Sequence, residues 1–141
     1  MSGFWRTWFM VWCFSLGIFG LVLAGGGVEP TSGPVRFVLS ILKGDSAIAF
    51  DSPLRFSLAV LGAVSLGWAV TLYFMINAAI DLAGKGRPFW NAITAGMVSW
   101  FVIDSTLSVV TGFGLNVLPN VALAGTYLIG LFGSGALKRS A

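Results

Sequence analysis

Histidine is absent from this chain of 141 residues, and cysteine occurs once, at position 13. Without histidine, the chain lacks the usual axial ligand of haem, the commonest nitrogen ligand of zinc or copper, and the most frequent general base. The lone thiol of Cys13 allows neither an intramolecular disulfide nor a site with several thiolate ligands. These absences predict no metal site, no bound cofactor and no catalytic residues. They exclude serine–histidine hydrolases and histidine-dependent metalloproteases in particular.

Charged residues are also scarce, since they make up 9% of the chain against 57% hydrophobic residues. Soluble domains carry roughly 25% charged residues, so a monomer dissolved in water is excluded. The net charge of +3 is small and dispersed, and it does not indicate a nucleic-acid partner. The composition predicts an integral membrane protein whose first partner is the lipid bilayer.

Four long apolar runs account for most of the sequence, at about residues 8–26, 54–82, 92–113 and 117–137. Each reaches the ~20 residues that a helix needs to cross ~30 Å of hydrocarbon. None alternates as a barrel strand would, so all four are predicted to be helices. The predicted fold is all-α, with four transmembrane helices in a compact bundle that forms a single domain, 1–141. The first run also resembles a signal peptide, but its length and its tryptophans favour a retained helix.

The distribution of basic residues predicts the orientation of the helices. With a cytoplasmic N-terminus, the inner side carries five basic residues, namely Arg6, Lys85, Arg87, Lys138 and Arg139. The outer side carries three basic residues together with three acids, namely Arg36, Lys43, Arg55, Glu29, Asp45 and Asp51. This bias towards the inside predicts that both termini are cytoplasmic. A bacterial inner membrane is the expected location.

The first outer loop is predicted to contain a short amphipathic helix at about 33–43. Thr31 and Ser32 are capping residue types, Pro34 suits a first helical turn, and Gly44 is a typical end. Apolar residues follow a helical spacing on one face, at Val35, Val38, Leu39 and Leu42. The pattern favours a helix lying on the membrane surface, and the alternative is a lid over an outward-facing cavity.

Small residues recur every four positions on the second and fourth runs, and they predict close helix packing. The predicted packing residues are Ala59, Ala63 and Gly67 on the second run, and Ala122, Thr126 and Gly130 on the fourth. Such stripes indicate contacts within one bundle or contacts with other subunits.

Asp104 is the one acidic or basic residue in the core of any of the four runs. A carboxyl group at the bilayer centre costs at least ~2.5–3.5 kcal/mol, so it needs a polar partner or a function. Helical spacing places Ser108 and Thr111 on the face of Asp104, one turn beyond Trp100. At ~1.5 Å per residue, Asp104 is level with Ser65 and Trp68 of the second run. The candidate intramembrane polar site therefore comprises Asp104, Ser108, Thr111, Trp100, Trp68 and Ser65.

The expected donors to this carboxyl are the indole N–H groups of Trp68 and Trp100 and the hydroxyls of Ser65 and Ser108. Three roles stay open: a hydrogen bond that ties helices together, which is favoured; a protonatable step in a pathway; or a contact with a subunit, lipid or quinone headgroup. Catalysis by paired acids is not expected, because Asp81 lies ~15–20 Å away in depth. The protonation state of Asp104 is left open.

The sequence thus predicts a small, non-enzymatic, multi-pass membrane protein. The favoured function is a non-catalytic accessory or assembly subunit of a membrane complex, with other membrane subunits or further copies of this chain as partners. The alternative is a small oligomeric transporter or channel, coupled to protons or ions, that uses Asp104.

Overall fold

The computed structural model describes residues 1–44 and 48–137, and this part of the chain is all-helical. Its α-helices are α1 (Gly3–Ala24), α2 (Gly33–Lys43), α3 (Ser52–Asp81), α4 (Arg87–Val110) and α5 (Val117–Gly133). Four of them, α1, α3, α4 and α5, are long and apolar enough to cross a membrane, as predicted. Short 3₁₀ turns follow α1 and precede α2, α4 and α5.

The helix ends differ from the ends of the apolar runs, because local chemistry sets them. The carboxylate of Asp51 accepts from the Leu54 N–H at 2.9 Å, so α3 begins at Ser52. Pro88 occupies the first turn of α4, which extends that helix back to Arg87. Gly112 has a φ of +83°, a conformation that favours glycine, and α4 ends just before it.

At its C-terminal end, α5 stops at Gly133, and turns occupy the remaining described residues up to 137. Lys138, Arg139 and Asp45, which entered the orientation argument, lie outside the described residues.

Helices α1 and α3 make the closest helix pair in the described structure, and two glycines allow it. A β-carbon placed on Gly62 would meet the backbone of Gly20 and Ala24, and one placed on Gly20 would meet the backbone of Leu66. Close backbone approach of this kind is how small residues stabilise helix pairs in lipid, which offers no hydrophobic driving force between helices.

The main core lies towards one end of the molecule, where α1 and α4 begin, at Gly3 and Arg87, and where α3 and α5 end, at Asp81 and Gly133. We call this the N-terminal end, because it includes the N-terminus of the chain. Phe9, Ile76, Trp90 and Tyr127, one from each long helix, are at most 1% exposed. The two nearest aromatic rings in this group, those of Phe9 and Trp90, have centroids 5.0 Å apart. All four long helices therefore converge at the N-terminal end.

Two tryptophans attach α1 to α5 along the same half of the molecule. The indole of Trp8 donates to the carbonyl of Thr126, and that of Trp12 donates to the carbonyl of Leu123, each at 3.0 Å. Each indole thereby buries its N–H with a partner. Leu16 and Phe19 of α1 and Asn120 of α5 border a cavity.

Helix α2 crosses the opposite end of the molecule, which we call the α2 end. Val35 is fully buried and packs with Leu23 of α1 and Leu58 of α3 in a second, smaller core. At the other end of α2, the ammonium of Lys43 lies 5.8 Å from the ring centroid of Phe113, beside the turn between α4 and α5. Helix α2 therefore bridges the α1–α3 pair and the α4–α5 pair.

Candidate functional site

A cavity of about 710 Å³ lies between the four long helices on the side of the molecule covered by α2. Its walls are mainly apolar, and they include Leu16 and Phe19 of α1, Leu61 and Val64 of α3, and Leu107 of α4. Helix α2 contributes Val38, Leu39 and Leu42 to the same lining. The face of α2 that was predicted from its helical spacing therefore covers the cavity, which is the arrangement of the lid alternative.

The cavity narrows towards the N-terminal end at a pair of tryptophans. The rings of Trp68 on α3 and Trp100 on α4 have centroids 5.8 Å apart, and both side chains line the cavity. Both also pack against the main core. Gly96, one turn before Trp100 on α4, also lines the cavity.

Asp104 lies in the cavity wall and accepts two hydrogen bonds from the α5 side of the α4–α5 hairpin. The amide nitrogen Nδ2 of Asn116 lies 3.0 Å from Oδ2 of Asp104, and Nδ2 of Asn120 donates to the same oxygen. Asn116 also donates to Ser108 Oγ at 2.9 Å, and Asn120 donates to Ser105 Oγ at 3.1 Å. These five side chains, from Asp104, Ser105, Ser108, Asn116 and Asn120, form one hydrogen-bonded cluster, here called the Asp104 cluster.

The second carboxylate oxygen of Asp104, Oδ1, accepts no hydrogen bond from the described residues. The same holds for the amide oxygens of Asn116 and Asn120, whose nitrogens face the cluster. In this part of the chain, no fully buried side-chain nitrogen or oxygen lacks a partner, so these three oxygens are accessible. Asp104, Asn116 and Asn120 line the cavity, so this part of its wall presents hydrogen-bond acceptors, whereas Ser65, Trp68 and Trp100 add donor groups to the same lining.

The position of Asp104 along its helix corrects the expectation of a central carboxyl group. Helix α4 begins at Arg87 and ends at Val110, so Asp104 is six residues from the α2 end. At 1.5 Å per residue, this is about 9 Å from the end of the helix. The apolar run 92–113 suggested a more central position because it omitted the first turn of α4.

All six residues of the predicted polar site line this one cavity: Asp104, Ser108, Thr111, Trp100, Trp68 and Ser65. Only Ser108 joins the Asp104 cluster, whereas the hydroxyl of Thr111 donates to the carbonyl of Leu107 in its own helix at 2.7 Å. The expected donors to Asp104 were therefore wrong. The donating amides come instead from Asn116 and Asn120, because α5 is the partner of α4 in the hairpin.

Asn116, Asn120 and Ser105 are the site residues that the sequence argument missed. The available signal was the short connection between the third and fourth runs, which makes them antiparallel neighbours. Polar residues at similar distances from such a turn meet across it. Asn116 and Asn120 are four apart, so they lie on one face at the start of α5.

Some residues of the small-residue stripes pack within the chain and others are exposed. Ala63 and Gly67 are exposed, and a β-carbon on Gly67 would meet nothing within 4 Å. Gly130 does pack, because a β-carbon there would lie 2.8 Å from the ring of Phe9. Ala59 lies against Gly27 in the turn after α1. Ala122 is exposed, and the backbone carbonyl of Thr126 accepts the hydrogen bond from the Trp8 indole N–H.

An ionic cluster holds the beginning of α2 over the cavity. Glu29 pairs with Arg36 of α2 at 3.1 Å and also with Arg55 of α3. Arg55 donates further to the carbonyl of Phe50 at 3.1 Å, and the guanidinium of Arg36 lies 3.9 Å from the Phe50 ring centroid. Both arginines are thus engaged at the α2 end and are not bonded to Asp104.

The arrangement offers one acidic group and several hydrogen-bond acceptors at the side of an apolar space. It suits reversible binding of a molecule with an apolar body and a polar group. Comparison of the chain with protein-family models, with curated proteins and with solved structures finds no match.

Proposed function

We propose that this protein spans a membrane through α1, α3, α4 and α5 and binds a small amphipathic molecule in the cavity beside Asp104, without covalent chemistry. Insertion in a bilayer is supported by the large apolar side chains that each long helix exposes. Phe14, Phe74, Val102 and Phe132 are 55–68% exposed, a surface that water disfavours and lipid accepts.

The placement of basic residues supports an orientation with the N-terminal end in the cytoplasm. Arg6, Lys85 and Arg87 lie at the N-terminal end, on α1 and around the turn before α4. The α2 end also carries three basic residues, Arg36, Lys43 and Arg55, so the bias towards the cytoplasm depends on Lys138 and Arg139 of the sequence. A bacterial inner membrane, with the cavity facing outwards under α2, fits this distribution.

One observation carries the proposed function: the accessible acceptors of the Asp104 cluster line an apolar cavity of about 710 Å³. Small-molecule sites have volumes of about 300–1,000 Å³, mostly apolar walls and a few placed polar groups. A carboxyl group kept solely to tie helices together needs no such space beside it. The geometry therefore favours the transporter or carrier interpretation of Asp104 over that of an accessory subunit.

The test uses two tryptophans that line the cavity, Trp68 and Trp100, as reporters. The protein is reconstituted in phosphatidylcholine nanodiscs and titrated with bromoundecanol, whose bromine quenches indole fluorescence on contact. Binding in the cavity predicts a saturable component of quenching that disappears when Trp68 and Trp100 are both replaced by phenylalanine. Quenching that rises linearly with the probe in the lipid, without saturation, would refute the proposal.

A matched pair of glycine variants separates the cavity from the outer surface. Gly96 and Gly67 both lie on long helices with nothing within 4 Å of an added β-carbon, but only Gly96 lines the cavity. Gly96→Phe should reduce the saturable component, whereas Gly67→Phe should leave it unchanged. For a carrier, we further expect that the bound molecule crosses the membrane of proteoliposomes at a pH-dependent rate. Asp104→Asn should abolish this transport without lowering the amount of protein.

A second candidate function, the accessory or assembly subunit, is favoured by the exposed face of α3. Ala63 and Gly67 leave a shallow surface there that no described residue covers. Such surfaces allow close packing with another membrane helix, from a partner subunit or from a second copy of this chain. Stoichiometric partners after purification in mild detergent, together with no saturable probe binding, would favour this function.

A further inference from the structure

We infer, resting on the proposed function, that the molecule bound in this cavity is a compact lipophilic cation whose ammonium group donates to Asp104. Asp104 is the one ionisable residue among the described residues that line the cavity.

Neighbouring cations do not satisfy Asp104. Arg36 and Arg55 are both paired with Glu29 at the α2 end, and Lys43 lies over the ring of Phe113. A buried or half-buried carboxylate is stabilised by a partner of opposite charge. A ligand that brings its own positive charge supplies that partner, whereas an anionic group would meet a second negative charge.

The hydrogen bonds of the Asp104 cluster also favour a ligand that donates. The Nδ2 donors of Asn116 and Asn120 are used on Asp104 Oδ2 and on two serine hydroxyls. Three acceptors remain accessible, namely Asp104 Oδ1 and the two asparagine amide oxygens. An ammonium group carries up to three N–H donors and no acceptor, so it matches the three acceptors beside Asp104. A hydroxyl group has one donor and leaves acceptors unmatched.

The volume of the cavity and the depth of Asp104 also restrict the ligand. A volume of about 710 Å³ suits one drug-sized body, which the walls at Leu16, Leu61 and Leu123 would surround with apolar surface. With α4 spanning the membrane as proposed, Asp104 lies about 9 Å inside the end of the helix and therefore within the apolar layer. The cavity therefore favours a compact cation that enters the apolar region over a membrane lipid anchored at the interface.

The experiment compares three probes that share a bromoundecyl chain and differ in the terminal group: an ammonium, a hydroxyl or a carboxylate. Each is titrated into the wild-type protein in phosphatidylcholine nanodiscs, and the saturable quenching of Trp68 and Trp100 gives its affinity. The ammonium probe should bind about tenfold more tightly than the alcohol, and the carboxylate should bind more weakly than either. Nanodiscs that also contain phosphatidylethanolamine test a lipid amine as a competitor, and they should leave the affinity of the ammonium probe unchanged.

The variant Asp104→Asn then assigns the preference to the carboxylate. It should lower the affinity of the ammonium probe about tenfold and so abolish its preference over the alcohol. If Asp104→Asn fails to fold, Asp104→Glu keeps the charge and should retain the order of the three probes, and a loss of that order would contradict the inference.

The outcomes distinguish this inference from the proposed function. If the alcohol and the ammonium probes both bind saturably and with equal affinity, the cavity is a binding site, but the inference that its ligand is a cation is refuted. An ammonium preference that survives in Asp104→Asn also refutes it. Competition by phosphatidylethanolamine would show that the cavity binds a lipid headgroup amine and would contradict the inference of a compact cation. If none of the probes shows saturable quenching, the proposed function fails, and the inference fails with it.

Discussion

Asn120, which is 5% exposed, donates its amide to the carboxylate of Asp104 across the α4–α5 hairpin. This hydrogen bond ties the start of α5 to the last turns of α4, and Asn116 adds a second bond to the same oxygen. Asp104 therefore has a structural contact on one oxygen and an accessible acceptor on the other. The favoured sequence interpretation, a hydrogen bond between helices, and the alternative, a site in a pathway, are compatible in this geometry.

The structural half of this arrangement predicts different costs for two substitutions of Asp104. Asp104→Leu leaves the amides of Asn116 and Asn120 without their main acceptor, and an unsatisfied buried group costs about 1–3 kcal/mol. Asp104→Asn keeps a carbonyl oxygen in that place and should be tolerated better. Thermal unfolding in nanodiscs measures the difference.

Asp81 provides the control for this comparison, because it is exposed at the end of α3 and pairs with Arg6 at 3.2 Å. Asp81→Leu and Asp81→Asn should differ by less than about 1 kcal/mol, as expected for an exposed ion pair. Equal stability of Asp104→Leu and Asp104→Asn would show that the Asp104 cluster does not hold the hairpin together.

The α1–α3 contact makes a second prediction from two glycines on one helix. Gly62→Ala should destabilise the protein by about 1–3 kcal/mol, because the added methyl group meets the backbone of Gly20 and Ala24. Gly67→Ala should be neutral or stabilising by up to about 1 kcal/mol, because its β-carbon meets nothing within 4 Å and alanine favours helix. Unfolding midpoints of both variants under the same conditions decide the question.

This pair also tests how far small-residue spacing predicts packing. The four-residue repeat on α3 predicts packing at Ala59, Ala63 and Gly67, whereas the close backbone contact with α1 is made at Gly62. A greater loss of stability in Gly67→Ala than in Gly62→Ala would favour the repeat and contradict the described α1–α3 contact.

The four long helices and α2 were predictable because each depends on a local property. Apolar length indicates the long helices, and the spacing of Val35, Val38, Leu39 and Leu42 indicates one face of α2. The beginning of α4 was harder to predict, because Arg87 and Pro88 belong to the helix without being apolar. Hydropathy locates a span, but capping and turn chemistry set its ends.

The partners of Asp104 were less predictable, because they depend on how the helices diverge. The expected donors Trp68 and Ser65 line the same cavity as Asp104, but the observed donors to its carboxyl group are Asn116 and Asn120. Depth follows from a rise of 1.5 Å per residue, whereas lateral separation follows from packing at the far end. Phe9, Trp90 and Tyr127 draw the helices together there. No single segment encodes that convergence.

A third prediction concerns the attachment of α2. Glu29→Gln removes the carboxylate shared by Arg36 and Arg55, so α2 should open more often from the cavity. Its backbone amides should exchange with deuterium about two- to fivefold faster, the scale of an exposed ion-pair contribution. The measurement is hydrogen exchange by mass spectrometry on peptides that cover 33–43.

Asp51→Asn is the matched control for that experiment, since it removes an acid at the same end of the molecule. Asp51 caps α3 through Leu54 N–H, and asparagine is an equally good cap. Exchange in α2 should therefore stay at the wild-type rate. Faster exchange of α2 in Asp51→Asn, or unchanged exchange in Glu29→Gln, would show that the Glu29 cluster does not anchor this helix.

The fourth prediction concerns orientation, on which an outward-facing cavity depends. In a Cys13→Ala background, a cysteine at Ser40 or at Lys85 reports the two sides, because both positions are exposed and lie at opposite ends of the long helices. A membrane-impermeant maleimide should label Ser40→Cys in intact cells and label Lys85→Cys only after the membrane is opened. The reverse pattern would place the cavity on the cytoplasmic side, so that α2 would cover a site filled from within the cell. Labelling of both positions in intact cells would contradict insertion of the four helices across the membrane, because the segment between Ser40 and Lys85 includes α3, whose 30 apolar-rich residues must then lie on one side.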